Sequence, residues 1–122
     1  MSSEKITTLS KHKYINLETY RKSGQPVRTP VWFMISGELI FVLTTQKTGK
    51  VKRIKNNPNI RIMPCSMRGQ SRGDWIDGTA RFADETETQN TIKLRAQKYG
   101  LRAKIVGLFI KKENPISIVI QI

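Results

Sequence analysis

The chain has 122 residues, 38% of them hydrophobic, and a formal net charge of +13 with a sequence pI near 10.3. That length supports one domain, residues 1–122, with a single modest core and no room for a second fold. No run approaches the roughly 18 apolar residues of a membrane span, the lone Cys65 excludes an intrachain disulfide, and with His12 as the only histidine the ligand sets of zinc and non-haem iron sites are missing, so no metal site is expected.

Without a signal-peptide core at its N-terminus the chain is expected in the cytoplasm. Its positive charge makes a polyanion a natural partner, and that charge is concentrated. Between Leu39 and Gly73 stand Lys47, Lys50, Lys52, Arg53, Lys55, Arg61, Arg68 and Arg72 without a single acid. Because this block also carries apolar strands and turns, it predicts a concave positive site and not a disordered basic tail.

In chain order, residues 1–12 read as a polar lead-in with room for a short helix. Residues 14–20, YINLETY, alternate as a half-buried strand. Ser23-Gly24 turns into a second strand over residues 27–35, where Val27, Thr29, Val31, Phe33 and Ile35 alternate with Arg28, Pro30, Trp32 and Met34. Ser36-Gly37 makes the next turn, and residues 39–45, LIFVLTT, are apolar on both faces, as in a central strand.

The Thr-rich corner that follows is the first functional candidate. Thr44, Thr45, Thr48 and Gly49 lead into a short helix carrying Lys50, Lys52 and Arg53. The unpaired N–H groups and the dipole at a helix start attract anions, and Lys50 and Arg53, about one turn apart, are placed to reach one phosphate. The competing reading is a solvated basic helix face. Asn56-Asn57-Pro58 ends this helix. A fourth strand follows over residues 60–65, then the basic glycine-bearing loop MRGQSRGD, then a fifth strand over residues 75–82, in which Gly78 marks a bulge or a close approach. Asp84 and Glu87 have capping-box spacing, Ile92, Ala96 and Tyr99 mark one face of the helix they open, and Gly100 closes it. Residues 101–112 read as a further helix, and the alternating PISIVIQI closes the sheet. The expected fold is mainly β with a few helices: a six-stranded antiparallel barrel without exposed edges.

The stretches YINLETYRKSGQPVRTPVWF, TTQKTGKVKRIKNNPNIRIMPC and RGQSRGDWIDGTARF, with QKYGL later, carry a resemblance. The pattern resembles the split-barrel flavin and deazaflavin oxidoreductases, the superfamily of pyridoxamine 5'-phosphate oxidase, and is most similar to its small F420-dependent branch. That resemblance implies an FMN-binding split barrel, a homodimer with cofactor sites at the subunit interface, and a hydride transfer between coenzyme F420, or FMN as the next choice, and a small organic acceptor. It implies that Arg28, Thr29, Pro30 and Val31 lie along the tricyclic ring. Thr44, Thr45, Thr48, Gly49, Lys50 and Arg53 would form the phosphate pocket, and Arg68 and Trp75 would lie near the ring or the substrate mouth. Lys47, Lys52, Lys55 or Arg72 would meet the acidic tail of F420. Phe33 stands where the pyridoxamine phosphate oxidases carry a lysine, and the chain ends at Ile122 without their C-terminal arginine and histidine region, so that activity itself is not expected.

No catalytic acid or nucleophile identifies itself. In this chemistry the cofactor does the difficult step, and the protein supplies orientation and charge. The reading from another class is a non-enzymatic carrier or sensor of the cofactor, or, less favoured, a basic nucleic-acid-binding barrel, for which the 7% of aromatic residues are few.

Overall fold

A computed structural model describes residues 2–100 and 114–122; the helix expected over residues 101–112 lies outside the described residues. The described residues form seven strands: β1 Tyr14–Tyr20, β2 Pro26–Trp32, β3 Met34–Ser36, β4 Leu39–Thr45, β5 Asn59–Cys65, β6 Ile76–Phe82 and β7 Pro115–Gln121. Among the same described residues lie three helices, α1 Ser2–Leu9, α2 Gly49–Asn56 and α3 Glu85–Tyr99. The strands form one sheet in the order β2-β1-β5-β6-β7-β4-β3, antiparallel at every pairing.

The two strands at the ends of that order, β2 and β3, are consecutive in the chain and separated by Phe33 alone. Neighbouring strands lie about 4.8 Å apart, so one residue cannot link the opposite edges of a flat sheet of this width. The sheet therefore curls until its edges meet, and Phe33 is the seam of the resulting half-barrel. Here the expectation of one strand over residues 27–35, and of six strands in all, is corrected. The ladder breaks at Phe33 because its N–H donates to the Tyr99 hydroxyl (3.1 Å) while its carbonyl accepts from Lys98 Nζ (2.8 Å) and Tyr99 (2.9 Å). Side chains of α3 thus replace the strand partners of that peptide group.

The concave face holds the core. Ile15 and Leu17 of β1, Ile40 and Val42 of β4, Ile60 and Ile62 of β5, and Ile118 and Ile120 of β7 pack there with Phe33, and Ile6 and Leu9 of α1 and Ile54 of α2 join the same cluster. A smaller cluster of Met34, Phe41 and Val119 packs with Leu94 and Tyr99 of α3. Gly78 does mark a close approach: a Cβ there would stand 2.9 Å from the Gln121 carbonyl oxygen. The capping box is formed as spaced, with Glu87 N donating to Asp84 Oδ1 at 2.8 Å and Asp84 N to Glu87 Oε1 at 3.2 Å. The face assigned to that helix is corrected. Ala96 is exposed, and the buried stripe is Thr88, Thr91 and Arg95.

Candidate functional site

Local sequence chemistry brings three elements to the seam. β2 ends there because Phe33 leaves the ladder, β4 runs beside it, and three residues separate the end of β4 from the start of α2. The space between is a cleft of about 170 Å³ lined by Val31, Trp32, Met34, Leu43, Thr44, Lys50 and Arg95. Four apolar side chains form its walls, and its polar edge is one hydroxyl and two cations. Trp32 is held by parallel stacking on Tyr99, ring centroids 4.2 Å apart and planes 6° apart.

The α2 start is open to an anion. Thr48 is the N-cap residue, yet its hydroxyl donates to the Thr45 carbonyl at 3.1 Å and caps no N–H of the first turn. Thr44 Oγ1 lies 3.4 Å from Thr48 Oγ1, which fixes both hydroxyls at the same corner. Lys50 projects from that turn, and burial, followed by the nearby Arg53 guanidinium, lowers its ammonium below the usual lysine range. An anion placed beside the ammonium would oppose both effects by favouring its charged form.

Arg95 faces the same cleft from α3. It is 6% exposed, burial lowers its guanidinium, and its Nε and Nη1 have no hydrogen-bond partner among the described residues. An uncompensated buried charge costs on the order of several kcal/mol, and buried donors are rarely left unmade. The sequence reading missed this residue. Its only signal was an arginine at helical spacing from Thr88 and Thr91 on one side of α3.

Of the residues predicted from sequence, Val31, Thr44 and Lys50 line the cleft, and Thr48 and Gly49 form its corner. Thr45 is paired with Pro115 at the end of β4. Arg53 does not line the cleft but stands at the same helix start: its Nε donates to Thr19 Oγ1 at 2.6 Å, and its guanidinium lies over Gly49 beside Lys50. Thr29 sits on β2 opposite Leu17, and Pro30 lies in this same edge strand, where a missing N–H is tolerated.

Arg28 and Trp75 belong to a separate cluster, and Arg68 is exposed in the turn before it. Glu18, fully buried, receives Arg28 (2.9 Å), Arg61 (2.7 Å) and the Tyr20 hydroxyl (2.8 Å), and both guanidinium groups also lie over the Trp75 ring, at 5.0 and 4.7 Å from its centroid. Burial alone would raise the Glu18 carboxyl. Its bonds to Arg28, Tyr20 and Arg61 outweigh that and hold it below the usual carboxylate range. Trp75 and Arg72 line a second cleft, about 510 Å³, against Glu4, Lys5 and Thr8 of α1. Cys65 is buried, and burial pushes its thiol up, away from thiolate chemistry.

This curled antiparallel half-barrel, joined at its seam by a single residue, is the split-barrel fold. The profile of the pyridoxamine 5'-phosphate oxidase family matches residues 2–121, and the chain belongs to that family. Over 117 residues it is 26% identical to General stress protein 26 of Bacillus subtilis (strain 168), covering 96% of this chain and 79% of that protein. Solved structures of like fold include the heme storage protein HutZ from Vibrio cholerae, with a TM-score of 0.74, 17% identity, and coverage of 98% of this chain and 87% of that one. Another is an F420 reductase, with a TM-score of 0.67, 20% identity, and coverage of 93% and 90%. At these identities the two structures share the fold. Among the described residues no helix is long and apolar enough to cross a membrane.

Proposed function

We propose that the chain binds a phosphorylated flavin or deazaflavin, coenzyme F420 or FMN, in the seam cleft and transfers a hydride between it and a small organic acceptor. The observation that carries this reading is the cleft itself. Apolar walls of Val31, Trp32, Met34 and Leu43 meet an uncapped helix start, Lys50, and an arginine with unmet donors, which suits a planar apolar body with an anionic end. Family membership and the fold shared with an F420 reductase support it. Bound there, the cofactor supplies the hydride chemistry that no side chain offers. The chain's own residues bind and orient: Lys50 and the α2 start hold the anion, Thr44 and Thr48 fix the corner, and Val31 and Trp32 keep water from the apolar end. Two copies form a homodimer whose interface completes each cleft, and the protein works in the cytoplasm on a small-molecule substrate.

The test is parallel titration of the purified chain with F420, FMN and haem, followed by mixing the reduced complex with a quinone acceptor. Tight F420 or FMN binding with hydride transfer faster than from the free cofactor is the expected result. Tight binding without acceleration means a carrier, and haem binding without response to either flavin-type cofactor overturns the reading.

A further inference from the structure

We propose that Arg95 is a second anion ligand of the seam cleft, set against Lys50, and that the pair selects a doubly charged phosphate monoester over a singly charged diester. This rests on the cofactor reading above and deepens it, since FMN ends in a monoester and F420 carries a diester.

Three observations converge. The buried polar stripe of α3 is otherwise satisfied: the Thr91 hydroxyl lies 2.8 Å from both Glu87 O and Ser117 Oγ, and Thr88 Oγ1 accepts from Ser117 N at 3.4 Å. Among the described residues, the buried side-chain donors left without a partner are Arg95 Nε and Nη1. Arg95 lines the same small cleft as Lys50, and among the described residues no acidic one lines it with them. Lys50, Arg95 and an uncapped helix start, with the Arg53 guanidinium over Gly49 beside them, sum to a field that one negative charge does not neutralise. A phosphate monoester carries about −1.5 to −2 at neutral pH and offers three acceptor oxygens, enough for Lys50, the α2 N–H groups and the arginine fork together.

The test compares the full-length chain with Arg95→Met and Arg95→Lys. Dissociation constants for FMN, F420 and riboflavin are read by fluorescence, together with melting temperature with and without inorganic phosphate, and sedimentation. FMN is expected to bind the unaltered chain more tightly than F420. Arg95→Met is expected to weaken FMN at least about tenfold, or ~1.4 kcal/mol, with riboflavin changed less than about twofold. Its ligand-free melting temperature is expected to hold or rise, because an apolar side chain of similar volume replaces an uncompensated buried charge. Arg95→Lys falls between, keeping the charge and losing the fork. An unchanged ratio of FMN to riboflavin affinity in Arg95→Met overturns the proposal and leaves the cofactor reading standing. A lower melting temperature with dissociation of a dimer also overturns it, assigning Arg95 to contacts with a second copy. If no flavin binds but phosphate raises the melting temperature of the unaltered chain and not of Arg95→Met, the anion site stands and the oxidoreductase reading fails.

Discussion

The Tyr99 hydroxyl accepts the Phe33 N–H at 3.1 Å, joining residues 66 apart in the chain at the one peptide that links the two edges of the sheet. Its own proton is shared between Lys13 O at 2.7 Å and Phe33 O at 2.9 Å. Burial pushes this hydroxyl up to about 12, so it serves as a neutral donor and acceptor across the physiological range. Lys98 completes the latch. The residue is exposed as a whole, but its ammonium tip lies 3.5 Å from the Phe33 ring centroid, and burial lowers it to about 8.

Tyr99→Phe leaves the Phe33 N–H without its partner while keeping the ring that stacks on Trp32. We expect a loss of about 1–3 kcal/mol, the cost of orphaning a part-buried donor, seen in denaturant titration as a lower midpoint with an unchanged slope. A variant as stable as the parent would show that the seam is held by the sheet alone.

Glu18 predicts a specific acid sensitivity. Its folded carboxyl titrates below its ordinary value, so its contribution to stability is full above that ordinary value and is lost as pH falls through the folded one. Glu18→Gln is expected to lower stability at neutral pH by about 1–2 kcal/mol, a figure kept small because Arg28 and Arg61 are part-exposed, and to lose less on acidification than the parent. Denaturation midpoints of both chains at neutral and acid pH check the sign. Parallel pH curves would contradict it.

Gly78→Ala places a methyl group 2.9 Å from the Gln121 carbonyl oxygen and 3.1 Å from Ile122 Cγ2, at the β6–β7 junction. Backbone must move to admit it. We expect a loss of about 1–3 kcal/mol by thermal or chemical denaturation.

Much of this was legible in the sequence. β1 has the bounds its alternation marks, the Asp84 capping box is formed, and the apolar LIFVLTT is an interior strand between β3 and β7. The seam was not legible. Alternation runs straight through Phe33, and the break is made by Lys98 and Tyr99 from far along the chain, which no local pattern records. Helix spacing puts Arg53 near the α2 start, where its guanidinium lies over Gly49, but spacing gives the side of the helix and not the neighbour that holds its Nε, here Thr19 on β1. Arg95 was hidden for the opposite reason. Two threonines and an arginine look like a solvated face until Ser117 is seen to bond the threonines.

Lys50→Ala removes the cation beside the uncapped start of α2. We expect at least about tenfold weaker binding of FMN and F420, little change for riboflavin, and no loss of fold, since Lys50 has no ion pair to break among the described residues.

The most direct measurement is a crystal structure of the chain with FMN or F420. We predict phosphate density between Lys50 and the Thr44–Thr48 corner, with the ring against Val31 and Trp32. Ordered cofactor in the cleft between α1 and Trp75, with the seam cleft filled only by solvent, would contradict the assignment.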